Sequence, residues 1–311
     1  MAYPVAVVQS FVEPGCVEQN RAHAAHLTAE AAARGARLIL LPAACISDVF
    51  RGAEKLAESI PGRSTDVLAQ AAGDAIVALP LLEQSDGKVY GACALAGRSG
   101  IRGVARQTHL ARDSGGHNSF SDSEVIAAGN ELSIFDLDGV RVGILLGFDA
   151  EFPEAFRALA LRGADIVLAA LNCVLPDTNF LCGMAMRNRL PLLVSNRIGF
   201  RRVYPAMPEY SAAAMSLLQE KDGSFLQRCK GGSTIIDADG RLLAQPSQES
   251  RRDPAPDPAM IAGLPAAALI PSAHFQEEQV LSASLRIDEI RVQRLTSPFI
   301  AERREELYRV E

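Results

Sequence analysis

The chain predicts an α/β protein with helices laid over the faces of its sheets, and three observations predict it. Strand-length apolar runs such as Val140–Leu146 and Asp165–Leu171 are rich in aliphatic and β-branched residues, as buried strands are. Helical stretches alternate with these runs, and Gly35 and Gly163 act as stop signals for two of them. Several strands are joined in pairs by short turns, Ser85-Asp86-Gly87, Asp138-Gly139 and Ala238-Asp239-Gly240. Strands that alternate with helices need those helices as covering layers.

Taken in order, Val5–Gln9 reads as a strand and Gln19–Arg34 as a helix with Ala22, Ala25, Ala29 and Ala32 on its apolar face. Arg37–Leu41 is the next strand, so the chain opens with a β-α-β unit whose strands run parallel. A short helix near Ala53–Glu58 and another over Thr65–Ala72 lead to the paired strands Ala75–Leu82 and Val89–Ala96, with Gly103–Arg106 beside them. Ala111–Asp122 is polar and glycine-rich and reads as loop. Glu131–Asp136 and Val140–Leu146 form a hairpin.

The stretch Val140–Arg157 is the one around which the rest is organised. A buried strand runs into the corner Gly147-Phe148-Asp149, and a helix starts at Pro153 with Glu154 at the positive end of its dipole. Such a strand–corner–helix unit can present one side chain at the edge of a sheet. Here the corner residue is glycine. Further strands follow at Asp165–Leu171, Pro191–Asn196, Ser233–Asp237, Arg241–Ala244 and Leu281–Ile287, with a helix at Asn179–Arg189. Two stretches read as insertions. Residues 200–227 hold an amphipathic helix over Tyr210–Glu220, and residues 246–272 form a long Pro- and Ala-rich loop. A charged helical tail occupies 288–311, and residues 1–311 make one domain.

Composition narrows the function. With 311 residues, 48% hydrophobic and 22% charged, the chain can bury a large core. Its net charge of −6 offers nucleic acid no basic footprint. No apolar run reaches the length of a membrane span, and Met1-Ala-Tyr-Pro leads directly into a strand, so neither a membrane segment nor a signal peptide is expected. Six scattered cysteines without a CxxC pair predict reduced thiols in a cytoplasmic protein, with no metal and no cofactor.

Several segments together resemble the nitrilase, or carbon–nitrogen hydrolase, superfamily. They are the opening AVVQ with GARLILLP, then RQTHL at 106–110, and FDLDGVRVGILLGFDAEFPEAFRALALRGADIVL. NRIG at 196–199, GGSTIIDADGRLLA at 231–244 and RREELY at 303–308 complete the set. The resemblance implies a four-layer αββα sandwich. It also implies chemistry in which a cysteine thiolate attacks a nitrile or amide carbon, a glutamate moves the proton and a lysine meets the developing charge. Carried over position by position, the glutamate falls on Ala43, the lysine on Gln107 and the cysteine on Gly147, while their neighbours match. A further family glutamate corresponds to Asp122, and Met184 and Arg187 stand where the family carries Arg and Glu ahead of Asn188.

The reading is therefore of a pseudoenzyme that binds a small molecule or regulates a partner, as a homodimer or paired with an active relative. The dimer rests on the resemblance and on the apolar helices Pro153–Leu161 and Asn179–Leu190. The alternative is an amidase-like hydrolase using substitute groups. Cys173 and Cys45 are the candidate thiols, and His109 and His117 the candidate bases. Phe148 and Asn172 complete the expected pocket. Asp149 and Arg157 are read as corner and helix structure.

Overall fold

The computed structural model describes residues 2–111, 121–173, 176–203, 218–219, 225–246 and 277–308. The first half runs β1 (Ala2–Gln9), α1 (Val17–Ala33), β2 (Leu38–Leu40), α2 (Arg63–Ala72), β3 (Ile76–Ser85), β4 (Lys88–Gly97) and β5 (Gly100–Arg106). The second runs β6 (Ile134–Leu137), β7 (Val140–Leu146), α3 (Pro153–Leu161), β8 (Ile166–Leu171), α4 (Thr178–Asn188) and β9 (Leu192–Asn196). After these come β10 (Ile198–Val203), β11 (Leu218–Gln219), β12 (Phe225–Lys230), β13 (Thr234–Ile236), β14 (Leu242–Ala244), β15 (Gln279–Arg286) and α5 (Ile287–Leu295).

Two six-stranded sheets result, one in the order β15-β1-β2-β3-β4-β5 and the other β14-β13-β9-β8-β7-β6. Each has two consecutive parallel ladders at its centre, β1-β2-β3 and β7-β8-β9, with antiparallel strands outside them. The parallel pairs are bridged by α1 and α2 in one sheet and by α3 and α4 in the other. Central strands are apolar throughout because both of their faces are covered. Val5, Val7, Leu38 and Leu40 meet Val142, Ile144, Leu146, Ile166 and Leu168 between the sheets. The intervening residues Ala6, Val8 and Ile39 pack under α1 and α2, and Leu145, Val167 and Ala169 under α3 and α4. The layers are therefore helix, sheet, sheet, helix, as the resemblance implied.

Gly143 lets α3 lie close to its sheet, since a β-carbon there would stand 3.0 Å from Leu159. Phe156 of α3 is fully buried in the same layer, where truncation to alanine costs about 3–5 kcal/mol.

Three expectations need correction. The buried stripe of α1 is Ala24, Leu27, Thr28 and Ala31, whereas Ala22 and Ala29 are exposed. The helix is alanine-rich on every side, so the spacing of alanines cannot choose a face, and the bulkier Leu27 does. Residues 200–227 are not a simple insertion. Their ends belong to β10 and β12, which pair antiparallel from Ile198↔Lys230 to Val203↔Phe225. Within the helix expected over Tyr210–Glu220, Leu218–Gln219 is strand, held by β12. Ladder bonds available from β12 outweigh a weak local helix pattern. The rest of that helix, the loop 246–272 beyond Pro246, residues 112–120 of the glycine-rich loop and His117 lie outside the described residues.

Candidate functional site

The site forms where the parallel strands of both sheets end. Ala43 follows β2, and its N–H donates to Leu171 O at the end of β8, 3.1 Å away. Gly147 follows β7 and opens a single 3-10 turn, Gly147–Glu151, with φ of 50°. Gln107 follows β5, its N–H bonded to Gly91 O at 2.8 Å. A cavity of about 310 Å³ is lined by all three, together with Asp122, Phe148, Asn172 and Cys173. Arg201, Arg202 and Glu151 add charge of both signs to its lining.

The Gln107 amide sits at the centre. Its Nε2 donates to His109 O at 2.8 Å and to Asp122 Oδ2 at 3.3 Å. Those two acceptors fix which end of the amide is the nitrogen, and Oε1 lies between Gly147 and Gly91. A β-carbon at 147 would stand 3.2 Å from that oxygen. Asp122 also accepts from Ala111 N at 3.0 Å. Burial pushes its carboxyl above the usual range, while the Ala111 N–H, the Gln107 amide and the Arg201 charge pull it partly back.

A second carboxylate holds the corner from beneath. Asp149, 2% exposed, accepts from Thr108 N, Thr108 Oγ1, His109 N and Leu146 N. His109 Nδ1 lies 2.8 Å from Asp149 Oδ1, so that nitrogen carries the hydrogen. The imidazole stacks on Phe152 with ring centroids 4.0 Å apart. On the far wall, Asn172 Nδ2 donates to Asp48 Oδ1 at 2.9 Å, and Asp48 pairs with Arg197 at 2.8 Å, both fully buried. Arg201 Nη1 donates to Asn172 O at 2.9 Å.

Two residues expected in the pocket are elsewhere. Cys45 faces the helix side of the first sheet among Ile39, Leu41 and Ile46, with its thiol donating to Pro80 O at 3.3 Å. Burial raises its pKa strongly, so it is an inert thiol. Its position beyond the strand end hid which face it would take. His109 contributes its carbonyl to the site, but its ring is turned onto Phe152 and Asp149. Arg201 and Arg202 were missed by the sequence reading, since they lie in the stretch read as an insertion. Among the described residues no group of His, Cys, Asp and Glu could hold a metal ion, and no helix is long and apolar enough to cross a membrane.

This arrangement of two sheets with a cavity at the ends of β2, β5, β7 and β8 has close counterparts. Residues 4–255 match the carbon–nitrogen hydrolase family, and the chain belongs to it. The omega-amidase NIT2 of Danio rerio is 33% identical over 248 residues, covering 76% of this chain and 87% of its own length. The omega-amidase NIT2-B of Xenopus laevis is 28% identical over 270 residues, with 81% and 95% covered. Among solved structures, a carbon–nitrogen hydrolase from Helicobacter pylori superposes with a TM-score of 0.73 at 17% identity over 99% of this chain and 97% of its own. An amidase from Nesterenkonia sp. gives 0.67 at 18% identity, with 98% and 95% covered, and both likenesses speak for the fold.

Proposed function

We propose that this chain is a carbon–nitrogen hydrolase homologue that no longer cleaves amides or nitriles and acts as a small-molecule-binding or regulatory protein. One observation carries the reading: Ala43, Gln107 and Gly147, which the sequence resemblance sets at the positions of the family's glutamate, lysine and cysteine, all line one cavity. Glycine offers no nucleophile, alanine no proton acceptor, and glutamine only a neutral dipole. Loss of a catalytic nucleophile alone removes on the order of 10⁶-fold of kcat in a well-studied protease. Three such losses inside otherwise matching segments leave a pocket without its reacting groups.

We further place the protein as a single domain in the cytoplasm, either a homodimer or paired with a catalytically competent relative through α3 and α4. Light scattering that finds only monomers at micromolar concentration counts against the homodimer.

A second reading has two observations in its favour. Cys173 lines the same cavity, and relatives bear the name omega-amidase. The deciding experiment offers simple amides, nitriles and N-carbamoyl compounds to the purified protein. No release of ammonia above buffer is expected. Turnover that disappears in Cys173→Ala overturns the non-catalytic reading.

A further inference from the structure

We propose that the cavity takes a small primary alkylammonium ion, its N–H groups donated to Asp122 Oδ1 and Gln107 Oε1 and its alkyl chain laid on the apolar wall. The inference rests on the reading of the site as a binding pocket and names the class of its ligand. Asp122 Oδ2 accepts both of that carboxylate's side-chain hydrogen bonds, from Gln107 Nε2 at 3.3 Å and from Ala111 N at 3.0 Å. Among the described residues Oδ1 receives no donor, and no cation stands within ion-pair distance of either oxygen. Gln107 is 8% exposed, and its Nε2 is engaged with His109 O and Asp122, while Oε1 meets no donor among the described residues. Both side chains line the cavity. Burial holds the Asp122 carboxyl above its ordinary range, and the Arg201 charge, acting on it without contact, offsets that only in part. A buried carboxylate in that state is complemented best by a positive charge brought into contact with it.

A primary ammonium supplies that charge together with three N–H donors on one atom, enough to serve both oxygens. A neutral amide or alcohol brings donors without the charge, and a quaternary ammonium brings the charge without donors. The two arginines of the lining have partners of their own. Arg201 Nη1 donates to Asn172 O, and the Arg202 guanidinium lies 5.0 Å from the centroid of the Phe50 ring. They serve as wall. Glu151, exposed on the same lining, is a second carboxylate without a salt bridge among the described residues. Leu82, Ile126, Leu146 and Leu171 offer apolar surface to a short alkyl chain. The cavity volume of about 310 Å³ limits the ligand to a compact one.

Calorimetric titration with a matched set tests this, using butylammonium, butyltrimethylammonium, butanol, butyramide and butyrate. Butylammonium is expected to bind about tenfold or more tighter than each of the others, as a hydrogen bond to a charged group implies. Equal binding of butanol, butyramide or butyrate overturns the charge assignment, and equal binding of butyltrimethylammonium overturns the two acceptors. If no probe binds and butyramide is not hydrolysed, this inference fails while the non-catalytic reading stands. If butyramide is turned over, it is that reading that fails. Asp122→Asn should weaken butylammonium binding about tenfold or more. Because Asp122 also holds Ala111, Gln107→Lys serves as the second variant. It installs an ammonium in the proposed subsite and should abolish butylammonium binding with the melting transition retained. A folded Gln107→Lys protein that binds butylammonium as the parent does refutes the proposal.

Discussion

Asp149 and Asp122 flank the same three residues, Gln107-Thr108-His109, and they live under different rules. Asp149 is buried with donors arriving from Thr108, His109 and Leu146. It is saturated, and its work is to fasten the 107–109 segment to the corner. Asp122 takes two hydrogen bonds, one of them long at 3.3 Å, and lines a cavity. The carboxylate that holds the site together is fully furnished, while the one that lines the cavity stands beside the small or neutral side chains of Ala43, Gln107 and Gly147.

The sharpest way to break this comparison is Asp149→Ala. The change leaves the N–H groups of Leu146, Thr108 and His109 without their acceptor, and each orphaned buried donor costs roughly 1–3 kcal/mol. A stability loss of at least about 3 kcal/mol is expected in urea unfolding with an unchanged slope. A loss of a few tenths would mean that Asp149 is not the fastening described.

Gly147 is the next test. Its φ of 50° lies in the left-handed region, where a β-carbon costs about 1–2 kcal/mol. Gly147→Ala should lose that much, with Gln107 moving slightly to give room. The triple change Ala43→Glu, Gln107→Lys, Gly147→Cys should still fold, because the new lysine replaces the amide crowding position 147. Iodoacetamide should modify residue 147 faster than Cys45, with a pH midpoint below the roughly 8.5 of a free thiol because the ammonium favours the thiolate. A folded triple mutant that resists alkylation at 147 would show a closed pocket.

The smallest effect concerns Asp122 and pH. Its carboxyl is raised by burial above the ordinary 3.8, so the native state holds that proton more tightly than the unfolded chain does. The stability it contributes is present below 3.8 and is lost as pH rises through the folded-state value. Thermal melts of the parent and Asp122→Asn should therefore diverge in favour of the variant as pH climbs from that region. A gap that closes with rising pH would reverse the assignment of burial as the dominant cause.

Much of this was legible in the chain. The strands of both sheets, α3 starting at Pro153 and the glycine corner all follow from local pattern, since periodicity and turn residues act over a few neighbours. The direction of Cys45 was not, because beyond a strand end the alternation of faces no longer applies. The burial of α1 was misplaced because alanine gives little contrast between faces. The partnership of β10 and β12 joins residues from Ile198↔Lys230 to Val203↔Phe225, beyond the reach of a local pattern. The matching ladder order of the two sheets has no counterpart as a sequence repeat, because many side chains can build the same backbone.

The hydrogen bond from Ala43 N to Leu171 O crosses from one sheet to the other at the rim of the cavity. The hollow is thus a joint between the two halves of the sandwich rather than a dent in either. A molecule seated there would touch both halves at once, as a keystone does, since Pro80 and Leu81 line it from one sheet and Leu146 and Leu171 from the other.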